Sequence, residues 1–515
     1  MTIQKFSGIF FITLLCSFSY NVAAQERTFV TDSIDYYIQK ALITWNIPGA
    51  AVCIVKDGKV VLTKGYGHIV KNGEQAIDAN TLFMIASNSK AFAGTALAKL
   101  EYEGKCKLDD KVITWLPSFA MHNTTLTTEA TINDLLTHRM GYNTFQNDLL
   151  CFYSELTSTV LLKKFKQIEP QNDFRTRYGY SNFGYIWASE CITAIAGEPW
   201  DRYIKNNFLS PLQMTRTQTT TKILQSLNNV AVGHTYNFDT LKAFPYPDAD
   251  ATALAAVMSS SANDLANWLL MWTNDGEFNG KEIVAPKVIE RVMQPHTIIG
   301  RNGHPFNTTH YGLYGLGFRM ADYENVEVIS HSGGIWGFVS GVAFIPELNL
   351  GIAVLTNSDE NWFYEALQWE IIDAYLNLPY RNYSDIYLRY YQFRQLKNTN
   401  LIKAYNDTVA MQNISEKAIR IYAGTYHNDL YGSITLTQSG NSLSMTMEHH
   451  PGITGKLEWM GNNKFLCTYN PSRMGVKVFP VTVKKDGSVE LKLTVADRLD
   501  KTVWVFNKPA NNHGN

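Results

Sequence analysis

A serine and a lysine three residues apart could together carry out nucleophilic catalysis. Ser87 and Lys90 lie at the start of an Ala-, Leu- and Lys-rich stretch that is typical of a helix. This spacing places both side chains on one helix face, about one turn apart. A desolvated lysine can take the proton of a serine hydroxyl, and the unpaired N–H groups of a helix start can stabilise an oxyanion. The pair predicts a serine nucleophile with a lysine base, although a capping serine beside a solvated lysine fits the same residues.

Two further clusters combine polar or aromatic side chains with glycine. The first reads Tyr-Gly-Tyr-Ser-Asn at residues 178–182, on a loop just ahead of a predicted helix, where turn and capping residues are also common. The second reads Ser-His-Ser-Gly-Gly at residues 330–334, at the end of a segment rich in predicted strands. Paired glycines after a strand mark a turn or a place where another backbone approaches closely.

The elements around these clusters predict one sheet built from both ends of a domain. Asp57-Gly58 is a strong hairpin signal between strands at residues 50–55 and 59–65. Helices dominate from residue 94 to about 274, after which strands return and a final helix follows. These later elements are predicted at residues 314–320, 326–331, 339–346, 350–357 and 362–376. Strands at both ends with helices between them indicate an inserted helical lobe.

In order and separation the three clusters resemble the penicillin-recognising serine hydrolases, which include class C β-lactamases, D,D-carboxypeptidases, D-aminopeptidases and related esterases. The matching motifs are Ser-x-x-Lys at 87–90, Tyr-x-Asn at 180–182 and His-x-Gly at 331–333. Other similar segments lie at residues 46–49, 134–138, 210–214 and 356–357, so that the resemblance covers about residues 30 to 375. It implies an α/β (α+β) fold of the β-lactamase/transpeptidase type, with an antiparallel sheet and a helical lobe.

The resemblance assigns the chemical steps to four positions. Ser87 would be the nucleophile and Lys90 its proton acceptor. Tyr180 would share that proton and return it to the leaving group. The backbone N–H groups of Ser87 and Gly334 would form the oxyanion hole.

Three more residues would bind substrate by the same resemblance. Asn182 would hydrogen-bond the amide on the acyl side, and Gly333 would let an extended substrate lie against the strand. His331 stands where most β-lactamases have lysine. A mostly neutral imidazole is a weaker anchor for a carboxylate, so we expect carboxylate substrates to be favoured only as the pH falls towards 6. This difference disfavours a β-lactamase, while some carboxypeptidases of the group share the histidine.

The function implied is an exported serine hydrolase that cleaves an amide or ester bond through an acyl-enzyme on Ser87. A peptidase for D-amino-acid or cell-wall peptides and an esterase are the expected types, with a small molecule or peptide as substrate. The alternatives are a β-lactamase, or a penicillin-binding sensor without turnover.

The composition disfavours several classes of ligand and binding partner. The 515 residues carry a formal net charge of −1 without a basic stripe, which disfavours nucleic acid. Histidines and cysteines lack metal-ligand spacing, so no metal or other cofactor is predicted. Five widely spaced cysteines remain after residue 24, and buried free thiols are expected rather than a disulfide framework. Protein partners cannot be predicted from these features.

The first 24 residues are predicted to be a cleavable signal peptide, with Lys5 before an apolar run and Val22-Ala23-Ala24 before the cleavage point. The run is too short to cross a bilayer, so no transmembrane segment is expected. The mature protein would be periplasmic or secreted. A lipid anchor at Cys16 is the less favoured alternative, because the residue before it is not small.

The sequence divides after the hydrolase pattern ends. Residues 25–380 are assigned to the hydrolase domain, 381–416 to a partly helical connector, and 417–508 to a small antiparallel β domain that resembles lipocalin-like modules. Six strands are predicted in this last domain, at residues 433–437, 442–448, 456–460, 464–469, 476–484 and 488–496. It carries no catalytic pattern, so we expect residues 25 to about 380 to fold and acylate alone.

Overall fold

The computed structural model describes residues 29–301, 303–306 and 310–510. The signal peptide predicted at residues 1–24 lies outside them. An eight-stranded antiparallel sheet forms the centre of the first domain, in the order β2-β1-β14-β13-β12-β11-β10-β9. Its strands are β1 (Gly49–Lys56), β2 (Lys59–Gly67), β9 (Thr297–Arg301), β10 (Tyr311–Tyr314), β11 (Arg319–Tyr323), β12 (Val326–Ile335), β13 (Phe338–Ile345) and β14 (Leu350–Thr356). Three two-stranded ribbons complete the strands of this domain: β3 (Phe83–Met84) with β6 (Ser259–Ser260), β4 (Gly233–Asn237) with β5 (Thr240–Phe244), and β7 (Glu277–Phe278) with β8 (Lys281–Glu282).

The sheet joins the two ends of the domain, as the sequence predicted. The hairpin around Asp57-Gly58 is confirmed, with Ala51 of β1 opposite Gly65 of β2. The other edge of β1 pairs with β14, where Ala51 lies opposite Leu355. Because β1 and β14 are buried along nearly their whole length, their apolar runs lack the alternation of a half-exposed strand.

Helices cover both faces of the sheet and form the inserted lobe. The α-helices of the described residues are α1 (Ile34–Thr44), α2 (Ser89–Tyr102), α3 (Val112–Trp115), α4 (Thr124–Glu129), α5 (Ile132–Leu136), α6 (Ser158–Phe165), α7 (Asn182–Ala196), α8 (Trp200–Ile204), α9 (Ala262–Thr273), α10 (Pro286–Met293), α11 (Phe363–Tyr375), α12 (Tyr383–Ala410) and α13 (Glu416–Ile419). One apolar core lies between the sheet and α1, α11 and the start of α12. The opposite face packs on α2, α9 and the lobe.

The strand predicted at residues 314–320 is wrong in one respect, because the structure divides it between β10 and β11. A tight turn separates the two strands, closed by a hydrogen bond from Gly315 N to Phe318 O. Gly317 adopts a φ of +92°, and a Cβ atom there would lie 2.5 Å from the carbonyl oxygen of Lys90. The glycine therefore allows this turn to pack directly on the first turn of α2.

The C-terminal domain is a closed antiparallel barrel, which confirms the predicted fold class. It has eight strands: β15 (Gly424–Asn428), β16 (Gly432–Ser439), β17 (Ser442–Met447), β18 (Thr454–Trp459), β19 (Lys464–Asn470), β20 (Val476–Val483), β21 (Val489–Leu493) and β22 (Trp504–Lys508). The sequence prediction missed β15 and β22. These two strands meet each other at His427 and Asn507 and so close the barrel.

The barrel and the hydrolase domain share one buried apolar cluster. A polar contact joins them as well. The Arg473 guanidinium of the barrel lies 2.6 Å from the Asp359 carboxylate, which also accepts a hydrogen bond from Gly337 N. Arg498 pairs with Glu360 at 2.6 Å. The barrel is therefore packed against the hydrolase domain rather than tethered to it.

No helix among residues 29–301, 303–306 and 310–510 is long and apolar enough to cross a membrane. Within the same residues the cysteines at 53, 106, 151, 191 and 467 are free and buried, which confirms the expectation of free thiols.

Candidate active site

Ser87 lies on a single 3-10 turn, Ala86–Asn88, that leads directly into α2. The turn is anchored to the sheet, because the Ser340 hydroxyl of β13 donates a hydrogen bond to the carbonyl oxygen of Ile85. Ala86, just before the serine, has a φ of +47°, a left-handed conformation that costs a non-glycine residue free energy. Ser87 itself is half-buried. Its hydroxyl is thus presented at a sharp turn at the start of a helix.

Lys90 is fully buried one turn further along α2. Its ammonium nitrogen lies 3.2 Å from the Ser87 Oγ, 2.6 Å from Oδ1 of Asn182 and 2.6 Å from the carbonyl oxygen of Ala255. Burial lowers the pKa of Lys90 to about 7, although the Asp148 carboxyl opposes this shift. A lysine that is partly neutral at physiological pH, at hydrogen-bond distance from a serine, has the geometry and the basicity of a general base.

Tyr180 completes the polar centre beside the serine and the lysine. Its ring centroid lies 4.8 Å from the Lys90 nitrogen, and its hydroxyl is hydrogen-bonded with Ser87. Burial raises the pKa of Tyr180 far above its usual value, so that the phenol keeps its proton at neutral pH. His138, from the 134–138 motif, packs on the ring at 4.4 Å and accepts a hydrogen bond from Ser181 N. The structure therefore brings together Ser87, Lys90 and Tyr180, the three residues to which the sequence analysis gave catalytic roles.

Asn182, the first residue of α7, has both ends of its amide engaged by the protein. Its Oδ1 accepts from Lys90, and its Nδ2 donates to Oδ2 of Asp148 at 2.6 Å. Asp148 is buried, its Oδ1 has no hydrogen-bond partner, and burial raises its pKa to about 8. The sequence analysis did not find Asp148, because a lone aspartate in a loop gives no signal before its neighbours are known.

His331 lies in β12 with both ring nitrogens occupied. Its Nδ1 lies 2.7 Å from the carbonyl oxygen of Ser332 and its Nε2 lies 3.1 Å from the Tyr314 hydroxyl. Burial, reinforced by the positive charges of Arg319 and Lys90, lowers the pKa of His331 well below its usual value. These surroundings disfavour the charged form of the ring, which argues against the gain of positive charge that was expected there as the pH falls towards 6.

The glycines after His331 differ in their surroundings. Gly333 is buried, and a Cβ atom on it would lie 2.0 Å from the carbonyl oxygen of Ile85. Its missing side chain thus lets β12 pack against the turn that carries Ser87. Gly334 is exposed, with only Val339 near the position of a Cβ atom. The open side of the strand therefore lies at Gly334, where the sequence predicted an oxyanion N–H.

Arg319 is a second residue that the sequence analysis missed. It is the cross-strand partner of Ser330 in β12 and is an exposed residue, while its side chain is hydrogen-bonded with Tyr178. Its charge nevertheless acts on Tyr178, Tyr180 and His331, which places it at the same cleft. Among the described residues it forms no salt bridge within 4.0 Å, unlike the paired Arg473 and Arg498. Arg319 thus brings a positive charge to the cleft that has no carboxylate partner among the described residues.

Comparisons with solved structures support the fold. A penicillin-binding protein homologue from Pyrococcus abyssi, described as octameric, aligns over 92% of this chain and 99% of its own, with a TM-score of 0.59 and 19% identity. A D-amino acid amidase from Ochrobactrum anthropi SV3 aligns over 67% of this chain and 98% of its own, with a TM-score of 0.55 and 21% identity.

Two curated relatives are similar in sequence. Unguisins hydrolase ungD from Aspergillus violaceofuscus is 25% identical over 436 residues, which are 78% of this chain and 75% of the relative. Protein flp from Staphylococcus aureus is 28% identical over 343 residues, which are 64% of this chain and 63% of flp. The model of the Beta-lactamase family matches residues 34–376, which include all three motifs and every side chain of the site described above. The chain therefore belongs to the beta-lactamase family of serine hydrolases.

Proposed function

We propose that this protein hydrolyses an amide or ester bond through a covalent acyl-enzyme on Ser87. The observation that carries this proposal is the 3.2 Å contact between the Ser87 hydroxyl and a fully buried Lys90. Burial disfavours the ammonium form, so the lysine can accept the serine proton near neutral pH.

The surrounding groups support the later steps of such a reaction. When Ser87 attacks the carbonyl carbon, its proton passes to Lys90 and the carbonyl oxygen becomes negative. The N–H groups of Ser87 and Gly334 are our candidates for stabilising that oxygen. The neutral phenol of Tyr180 can then donate its proton to the leaving group while it takes the serine proton from the Lys90 ammonium, so that the bond to the leaving group breaks and Lys90 is neutral again. Water next attacks the ester on Ser87 and gives its proton to Lys90, which returns it to the Ser87 oxygen as the acyl group leaves as a carboxylic acid.

Two features bear on the substrate. We retain Asn182, His331 and Gly333 as substrate-binding candidates, with Asn182 able to use the second N–H of its amide. The positive charge of Arg319 at the cleft favours substrates that carry a negative charge near the reacting bond, because its guanidinium can bind a carboxylate without breaking an internal ion pair. An acidic or carboxyl-terminated peptide fits this charge better than a neutral ester does.

A peptidase or esterase is our first candidate. The similar proteins include a D-amino acid amidase and an unguisins hydrolase, which supports a hydrolase of this kind. The alternatives remain a β-lactamase and a penicillin-binding sensor. We also propose that the protein is exported to the periplasm or secreted, on the pattern of residues 1–24.

The test is turnover of the purified mature protein on D-amino-acid peptides, short acyl esters and a chromogenic cephalosporin. Continuous release of product, lost in Ser87→Ala, would support a hydrolase, and the substrate with the highest kcat/KM would give its type. Release of one equivalent followed by none would support the sensor. No release in any assay and no adduct on Ser87 would contradict the proposal.

A further inference from the structure

The loop that carries Asp148 is held in place by the C-terminal barrel. Asp500, which follows β21, is buried, and its carboxylate accepts hydrogen bonds from the backbone N–H groups of Asn147 at 3.1 Å and Leu149 at 3.2 Å. These two residues flank Asp148 directly. One barrel carboxylate therefore clamps the backbone on both sides of a side chain in the active site.

Other barrel residues hold the same loop. The Tyr431 hydroxyl donates to Asp500 at 3.1 Å and accepts from Nδ2 of Asn147 at 3.3 Å. Thr502 accepts a second hydrogen bond from Asn147 N at 3.0 Å, and the His450 ring lies 3.0 Å from the carbonyl oxygen of Leu149. Asn147 has a φ of +59°, a conformation that such multiple contacts can maintain.

From Asp148 the contacts continue to the nucleophile without a gap. Asp148 accepts from Asn182 at 2.6 Å, Asn182 accepts from Lys90 at 2.6 Å, and Lys90 lies 3.2 Å from Ser87. Each member of this series is buried, apart from the half-buried serine. Movement of the 147–149 backbone would therefore shift Asp148 and Asn182, and with them the position of the lysine nitrogen.

We propose that Asp500 is a positioning residue for Lys90, so that the barrel completes the active site of the hydrolase domain. The proposal deepens the proposed function and rests on Lys90 being the base. Asp500 touches neither substrate nor the reacting atoms. It acts through the backbone around Asp148 and through its own negative charge.

The charge of Asp500 favours the neutral, basic form of Lys90. Beside burial, the negative charge of Asp500 raises the pKa of Asp148, and an uncharged Asp148 stabilises the Lys90 ammonium less than an ionised one. Removal of the Asp500 charge would lower the pKa of Asp148 and so raise that of Lys90. The other titratable or charged groups that act on or face Lys90 are Cys151, Tyr180, Tyr185, His138 and His331.

The test compares two substitutions of the same kind in the full-length protein. Asp500→Asn removes the charge and replaces one acceptor by an N–H donor that faces a backbone N–H. Asp497→Asn removes an exposed barrel carboxylate that pairs only with Lys477 at 2.7 Å among the contacts described. We expect Asp500→Asn to lower the acylation rate about tenfold or more. We also expect the acid limb of its pH–rate profile, where the rate falls as Lys90 is protonated, to move to higher pH. Asp497→Asn should match the wild type in both respects.

Tyr431→Phe is the milder second variant, in case Asp500→Asn does not fold by circular dichroism. It removes one donor to Asp500 and should shift the acid limb in the same direction by a smaller amount. A folded Asp500→Asn or Tyr431→Phe protein with the wild-type rate and pH profile would overturn the inference. A lower rate with an unmoved acid limb would also overturn it, because that result describes a purely structural residue. If the wild type itself fails to acylate Ser87, the proposed function fails instead.

Discussion

Lys90 donates a 2.6 Å hydrogen bond to the side-chain oxygen of Asn182, whose amide nitrogen donates to Asp148 at the same distance. This amide is thus a second side-chain partner of the lysine nitrogen, besides Ser87. We expect Asn182→Ala to lower the acylation rate about 10- to 100-fold, since a hydrogen bond to a charged or ionisable group contributes about 1.5–3 kcal/mol. Stopped-flow acylation by an activated ester would measure the loss.

A control for this change is Asn267→Ala. Asn267 lies on α9, and its amide donates to the carbonyl oxygen of Leu212. An equal loss of acylation rate in both variants would show that the hydrogen bond from Lys90 to Asn182 does not contribute to the function of the base.

The pH dependence of acylation should follow Lys90 and not His331. The pKa of Lys90 is lowered to about 7, so the neutral base is lost as the pH falls through that value. We therefore expect kcat/KM for an uncharged ester to fall about tenfold per pH unit well below 7. His331 should not contribute to this loss, because burial lowers its pKa well below its usual value. A His331→Gln variant whose acid limb has moved or vanished would contradict this assignment.

Arg319 should determine how strongly the cleft prefers negatively charged substrates. We expect Arg319→Gln to lower kcat/KM about tenfold or more for a peptide with a free carboxylate near the scissile bond, while a neutral ester is little affected. Arg202→Gln, at an exposed arginine on α8, is the matched control. The expected readout is the ratio of kcat/KM for the two substrates. An unchanged ratio in Arg319→Gln would show that this arginine does not bind the substrate carboxylate.

Gly317 and Gly280 form a matched pair for the contact between the β10–β11 turn and α2. Both have positive φ, at +92° and +72°, but a Cβ atom at Gly317 would meet Lys90 O at 2.5 Å while the space around Gly280 is open. Gly280→Ala should cost about 1 kcal/mol of unfolding free energy from backbone conformation alone. Gly317→Ala should cost about 1–3 kcal/mol more, through the clash, and should also slow acylation. Denaturant unfolding of both variants measures the difference, and equal losses would contradict the close contact.

Sequence reasoning found the residues whose chemistry is unusual and missed those whose importance is only spatial. Ser87, Lys90 and Tyr180 could be located because their order and spacing match a known motif set. Asp148, Arg319 and Asp500 have no local pattern. Their roles come from burial and from neighbours that are distant along the chain, as in the contact between Asp500 and Leu149, which are 351 residues apart.

The same limit applies to the barrel. Its strands alternate in sequence, so its fold class could be predicted. β15 was missed because Tyr426 is its one buried residue, which leaves no apolar alternation, whereas β22 was missed although it alternates. Its contacts with the 147–149 loop could not be foreseen. They argue against the expectation that residues 25 to about 380 acylate alone, which stays untested.

The central claim is that Ser87 carries the acyl group, and peptide mass spectrometry tests it most directly. The full-length protein would be treated with a fluorophosphonate, and separately with its best substrate under acid quench, before digestion. We predict one adduct, on the peptide that contains Ser87, absent from Ser87→Ala and present in Ser439→Ala, a control at an exposed serine of the barrel. An adduct on another residue, with the Ser87 peptide unmodified in an active preparation, would contradict the account.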